Sequence, residues 1–133
     1  MQIVMKLYII AGEKSGDIPG ALLLKNLLRL MPGMEVAGLG GQGMHALCPG
    51  VEDWADEAAV IGVVEVLKKY GWFRRRFLSI LERIRQDQPD CLVLIDYPGF
   101  NLRLAERVRK CCPHTQIVYF ISPQVWAWHR GRI

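Results

Sequence analysis

Two carboxylates in this sequence stand where a proton can be taken from a hydroxyl group. Asp96 closes the apolar run Cys91-Leu-Val-Leu-Ile, which is set off by Gln88-Pro89-Asp90 before it and Tyr97-Pro98-Gly99 after it. A short, uninterrupted apolar run between turn signals is the mark of a strand buried on both faces of a parallel sheet. An unpaired carboxylate inside a core is costly, so Asp96 marks the point where the strand leaves the core. In open α/β sheets that carboxyl edge is where ligands bind. Glu13 repeats the arrangement, following the apolar residues 7–11 in the loop Gly12-Glu-Lys-Ser-Gly-Asp17. A carboxylate fixed at such an edge can serve as a general base. Pro98 and Gly99 make a turn, and Asn101 is a suitable N-cap for a following helix.

The first loop carries a second kind of chemistry. Gly12, Ser15 and Gly16 put tight backbone at a helix N-terminus, the usual setting of an anion site. Glu13 and Asp17 repel phosphate there and suit sugar hydroxyls instead, and Asp17 also has a purely structural alternative as a helix cap. The run Gly38-Leu-Gly40-Gly41-Gln-Gly43 matches Gly-x-Gly-x-x-Gly, but it follows the second apolar run rather than the first. It therefore reads as a glycine loop beside a cleft and not as a dinucleotide fingerprint. Cys48, Cys91, Cys111 and Cys112 form no Cys-x-x-Cys pair, and no histidine stands at ligand spacing from them. They read as reduced structural thiols, with no metal site indicated.

The elements that position these residues alternate. Residues 7–11, 35–40, 91–95 and 116–121 read as strands, with 51–56 irregular or a short edge strand. Residues 18–31 form a helix with Pro19 in its first turn, stopped by Pro32-Gly33. A short helix is expected over 41–48 and another over 57–70, with Val60, Val63, Val64 and Leu67 as its stripe. Gly71 interrupts, and residues 72–88 make a further helix with Phe73, Phe77, Ile80, Leu81 and Ile84 on one face. A last helix spans 101–112. Strand–helix alternation points to a doubly wound parallel sheet. The chain ends on a strand and the tail Ser122-Pro-Gln-Val-Trp-Ala-Trp-His-Arg-Gly-Arg-Ile133 with no closing helix, which suggests a truncated sequence.

Composition limits the partners. The 133 residues, 51% of them hydrophobic, suffice for one domain with a real core. A net charge of +4 permits an anionic partner. Lys68, Lys69, Arg74, Arg75 and Arg76 surround an apolar segment that includes Val66, Leu67, Tyr70, Trp72 and Phe73. Apolar and basic residues together on exposed helices suit an anionic membrane surface, where each Lys or Arg contributes about 1 kcal/mol. The plainer alternative is two core helices with a basic outer face. Val66, Leu67, Lys68, Lys69, Trp72, Phe73 and Arg74 are the expected lipid contacts. No recognition helix or stacking platform is visible, so nucleic acid is not expected. No run approaches the ~18 apolar residues of a membrane span.

Five segments taken in order resemble one family. Ala11-Gly-Glu-Lys-Ser-Gly-Asp17, Gly38-Leu-Gly-Gly-Gln-Gly-Met44, Ile61-Gly-Val-Val-Glu-Val-Leu67, Ile95-Asp-Tyr-Pro-Gly-Phe-Asn101 and Ser122-Pro-Gln-Val-Trp-Ala-Trp128 follow the pattern of the lipid-A-disaccharide synthase family. The resemblance runs from about residue 5 to 133 and departs from the commonest pattern at Gln42 and at Gly99. It implies the N-terminal, acceptor-side Rossmann-like domain of an inverting glycosyltransferase of GT-B architecture, with the nucleotide-binding C-terminal domain outside these residues and the fragment inactive alone. The implied reaction joins UDP-2,3-diacylglucosamine to 2,3-diacylglucosamine 1-phosphate and releases UDP, without metal or cofactor. The implied place is the cytoplasmic face of the inner membrane of Gram-negative bacteria, held peripherally. Carried onto this sequence, the resemblance makes Asp96 the base with Glu13 as its competitor. It sets Ser15, Gly16, Asp17, Gly40, Gly41, Glu65, Asn101, Ser122 and Trp126 against substrate. The alternative from another class is a nucleotide- or flavin-binding Rossmann-like regulatory module.

Overall fold

The structure, a computed structural model, describes residues 4–12, 14–61 and 66–121, the side chains at positions 14, 15, 59 and 66 apart. Five strands form one all-parallel sheet in the order β3-β2-β1-β4-β5: β1 (Lys6–Ala11), β2 (Glu35–Gly40), β3 (Val51–Asp53), β4 (Cys91–Ile95) and β5 (Gln116–Phe120). Helices α1 (Lys14–Leu30), α2 (Gln42–Leu47), α3 (Ala55–Ile61), α4 (Val66–Asp87) and α5 (Pro98–Cys111) link them. The expected α/β doubly wound class is therefore what the chain adopts. The strand order reverses between β1 and β4, and Ala11 is paired with Ile95 at their carboxyl ends. A cleft forms at such a switch point because the following helices leave toward opposite faces of the sheet.

Alternation along the strands builds two half-cores. Leu7, Ile9 and Ala11 of β1, with Val93 and Ile95 of β4, meet Leu24 of α1 and Met44 of α2. Tyr8, Ile10, Leu92 and Leu94 face the other way, onto Ile80 and Ile84 of α4 and Phe100, Leu104 and Val108 of α5. Successive side chains point to opposite faces, so a five-residue apolar run supplies both layers and no charge fits inside it.

Three boundaries differ from expectation. Helix α1 starts at Lys14, so Pro19 lies inside it rather than in its first turn. The lost hydrogen bond is offset by close packing, since Gly16 abuts Ala11 and Ile95, and Gly20 abuts Met44 and Ile95. Helix α4 runs unbroken through Gly71. A helical glycine costs only about 1 kcal/mol relative to alanine, and the next residue, Trp72, is anchored firmly. Helix α5 begins at Pro98, with Tyr97 and not Asn101 at its N-cap. Proline suits the first helical position because its missing N–H has no partner there anyway.

Asp17 settles its two alternatives. Its carboxylate accepts the backbone N–H groups of Gly41 (3.0 Å), Gly43 (2.8 Å) and Met44 (3.0 Å). It caps a helix, but that helix is α2, reached from α1. A Cβ on Gly41 would lie 2.5 Å from the Asp17 carboxyl carbon, so glycine is required for this approach. The glycine loop thus receives an internal anion at the amides a phosphate would use. Removing the carboxylate strands three partly buried donors. Asp17→Ala should lower stability by about 3 kcal/mol, read as a lower urea midpoint at unchanged m-value, with Asp17→Asn losing less.

Tyr8 gives the fold an alkaline limit. Its hydroxyl donates to Asp87 at the end of α4, and Arg83 lies over its ring. Burial, and then the Asp87 carboxylate, push the phenol up to about 12. An unfolded tyrosine ionises near ~10. The neutral phenol therefore contributes stability that is whole below pH ~10 and is lost as pH rises toward about 12, to a limit of about 2–3 kcal/mol. Tyr8→Phe should flatten that alkaline loss in a denaturation series between pH ~9 and ~12.

Candidate active site

The carboxyl ends of β1 and β4 come together as their register requires. A Cβ on Gly12 would lie 1.8 Å from the Tyr97 ring, so the two loops touch directly. Glu13 itself lies outside the described residues; it follows Gly12, the residue that abuts the Tyr97 ring.

Asp96 and Tyr97 both adopt left-handed backbone, at φ 49° and 47°. Two adjacent non-glycine residues in this region cost of order 1–3 kcal/mol each, and such strain persists only where the surroundings fix it. Four groups fix it here. The Asp96 N–H donates to the Phe120 carbonyl at 2.9 Å. Its own carbonyl accepts the Tyr119 hydroxyl at 2.8 Å and the Asn101 amide Nδ2 at 2.9 Å. The Tyr97 ring stacks on Phe100 with a centroid separation of 6.0 Å. Asp96 is half-buried, and burial, then its negative charge, push the Tyr119 phenol up.

Asn101 is the hub beneath this loop. It is 0% exposed, and besides Asp96 its Nδ2 faces the carbonyls of Ile10 (3.4 Å) and Ile95 (3.3 Å). Its Oδ1 is buried without a hydrogen-bond partner among the described residues. Expected as an N-cap, Asn101 instead joins β1, β4 and the Asp96 turn from a fully buried position. Gly16, Gly40 and Gly41 are likewise buried, and Asp17 is occupied with α2, so these four also support the edge from below. Ser15, for its side chain, and Glu65, Ser122 and Trp126 altogether lie outside what is described.

A residue with no sequence signal, Trp54, braces the same edge. It is fully buried; its indole N–H donates to the Ala11 carbonyl at 2.7 Å and its backbone N–H to Gly40 at 3.0 Å. Trp72 stacks on it at 5.6 Å, and Phe73 and Phe100 pack around it. This corrects the expected lipid surface. Trp72 is 7% exposed, its indole N–H bound to Glu57 at 2.7 Å, and Phe73 is half-buried against the same cluster. An indole that fills an aromatic cluster contributes more there than at a membrane surface. Leu67 (84% exposed) and Tyr70 (63%) do face solvent, with Lys68, Lys69, Arg74 and Arg75 exposed beside them. The Val66 side chain is not among those described.

Among the described residues no group of three His, Cys, Asp or Glu side chains comes together as a metal-ligand set, and no helix is long and apolar enough to cross a membrane. The edge can orient a hydroxyl-bearing ligand and take its proton at a carboxylate.

Comparison with known proteins agrees with the resemblance in the sequence. The family model described as lipid-A-disaccharide synthetase matches residues 7–133. A lipid-A-disaccharide synthase of Geobacter sulfurreducens is 45% identical over 130 residues, covering 96% of this chain and 33% of the relative. One from Coxiella burnetii is 41% identical over 127 residues (94% and 33%), and lipid-A-disaccharide synthase 1 of Legionella pneumophila is 41% identical over 130 residues (96% and 33%). The chain thus spans about a third of the length of the curated relatives it matches. With its parallel sheet and its switch-point carboxylate, this chain belongs to the lipid-A-disaccharide synthetase family.

Proposed function

We propose that this chain is the acceptor-side domain of a lipid-A-disaccharide synthase, an inverting glycosyltransferase that joins UDP-2,3-diacylglucosamine to 2,3-diacylglucosamine 1-phosphate. The observation that carries the reading is the strained Asp96 turn, held by Asn101 and Tyr119 at the sheet's switch point. Asp96 takes the proton of the acceptor hydroxyl as its oxygen bonds to the anomeric carbon of the donor. The bond from that carbon to UDP breaks, and UDP leaves with the electron pair. An acceptor hydroxyl is a very weak acid, so the base matters, whereas UDP is a good leaving group. Glu13, across the touching loops, is the competing base. Ser15, Glu65, Ser122 and Trp126 remain the proposed substrate contacts.

The nucleotide is held mainly by a second domain beyond these residues, so these residues alone do not catalyse. The relatives' greater length supports this. The glycine loop is no substitute nucleotide site, because Asp17 occupies its amides. Peripheral contact with the anionic inner face of the inner membrane falls to Leu67 and Tyr70 with Lys68, Lys69 and Arg74, not to the buried Trp72.

Asp96→Asn keeps shape and removes the base. In the full-length enzyme, turnover should fall at least about 10²-fold, with melting temperature and acceptor affinity little changed. Near-normal turnover in Asp96→Asn, with activity abolished in Glu13→Gln, would transfer the role to Glu13. For the membrane, Leu67→Ser with Tyr70→Ser should reduce sedimentation with phosphatidylglycerol vesicles while circular dichroism stays native. Trp72→Ser should instead unfold the protein at lower denaturant, costing about 3 kcal/mol or more. Unchanged vesicle binding in the double variant would remove this surface from the proposal.

A further inference from the structure

A groove of about 560 Å³ runs between α4 and α5, within the size range of small-molecule sites. Phe73 and Phe77 of α4 meet Tyr97 and Phe100 at the start of α5 ring to ring, and together they form its apolar floor. Its rim is cationic, with Arg74 on α4 and Arg103 and Arg107 on α5. Among the described residues none of these three guanidinium groups has a carboxylate partner, although Glu106 lies on the same rim. The Glu106 carboxylate is 3.9 Å from Lys110. An apolar trough with unpaired cations at its lip complements a chain that is greasy along its length and negative at its head. The groove also begins where the candidate base stands, because Tyr97 directly follows Asp96 and Gly99 lines the same space.

We infer that this α4–α5 groove holds an acyl chain of the phosphorylated lipid acceptor, with Arg74, Arg103 and Arg107 facing its phosphate. The inference rests on the proposed transferase reading for the identity of the lipid. The groove's aromatic floor is the outer side of the cluster around Trp54, so it is packed before any ligand arrives. A rigid trough reduces the ordering cost of binding a flexible chain. It also sets the sugar at the head of that chain beside Asp96, which a loose membrane contact would not do.

Gly99 offers a clean test. A Cβ there meets nothing within 4 Å, so a large side chain can enter the groove without disturbing the core. In the full-length protein, dodecyl phosphate below its micelle concentration should bind by calorimetry, and Gly99→Trp should weaken it at least about tenfold. Arg103→Glu with Arg107→Glu should weaken dodecyl phosphate by a similar factor of about ten, while leaving the poorer binding of dodecyl maltoside unchanged. Inorganic phosphate alone should not compete. Binding indifferent to Gly99→Trp, phosphate binding as tightly as dodecyl phosphate, or binding to vesicles alone would each overturn the groove assignment. Turnover separates this from the transferase reading. An unchanged KM for acylated acceptor in Gly99→Trp, with Asp96→Asn inactive, would remove the groove and keep the transferase. Groove-dependent dodecyl phosphate binding in a protein with no transferase activity would do the reverse.

Discussion

The carboxamide of Asn101 is the interaction on which the candidate site depends. Parallel strands that diverge at a switch point leave their last carbonyls facing a gap that neither neighbour fills. Here Ile10, Ile95 and Asp96 turn carbonyls toward one buried Nδ2. A carboxylate at position 101 would face those oxygens with like charge, and an apolar side chain would remove their shared donor, leaving the Asp96 carbonyl to the Tyr119 hydroxyl alone. The two Nδ2 hydrogens of Asn are shared among these three acceptors, with the Asp96 carbonyl nearest at 2.9 Å. The left-handed geometry of Asp96 and Tyr97 is sustainable because this hub, the Tyr119 hydroxyl and Pro98 hold both ends of the turn.

A second constraint comes from the aromatic cluster. Trp54 reaches from the turn after β3 to the end of β1, so the sheet edge and helix α4 share one rigid body. Arg76 lies over both Trp54 and Trp72, at 5.8 and 5.7 Å from the ring centroids, and pairs with Glu52 at 2.9 Å. One side of α4 is thereby committed to the core. The other side carries Leu67, Tyr70 and the basic residues outward, and between this helix and α5 lies the groove. This exposed basic face and the candidate base are thus braced by the same rings.

Much of this was legible in the chain. Runs 7–11, 35–40 and 91–95 declare strands because an all-apolar stretch has only one stable place, inside a doubly covered sheet, and Asp96 falls at the edge for the same reason. Periodicity also found the buried Ile80, Leu81 and Ile84. It failed for Val60 and Leu67, which share helical spacing yet face solvent, since spacing identifies a face without saying what covers it. It failed for Trp72 because its partner, Trp54, is 18 positions away in a segment with no regular pattern. Likewise Asp17 clearly had a capping chemistry, but nothing local tells that the capped helix is 24 residues downstream. Gly71 misled because the tertiary anchoring of the next residue outweighs a local propensity.

Charge is sorted across the molecule in a way that bears on the order of events at the site. The described part of the switch-point edge carries the carboxylate of Asp96 at the end of β4. The internal carboxylate of Asp17 already satisfies the helix amides that could draw a phosphate inward. The unpaired cations among the described residues lining the α4–α5 groove, Arg74, Arg103 and Arg107, stand on the helices rather than on the strand ends. On the proposed acceptor reading, a phosphorylated sugar lipid would be drawn by its phosphate to these rim cations rather than to the Asp96 carboxylate. Only an uncharged hydroxyl can approach the carboxylate without electrostatic penalty. On that proposal, charge would orient the acceptor before any specific hydrogen bond forms.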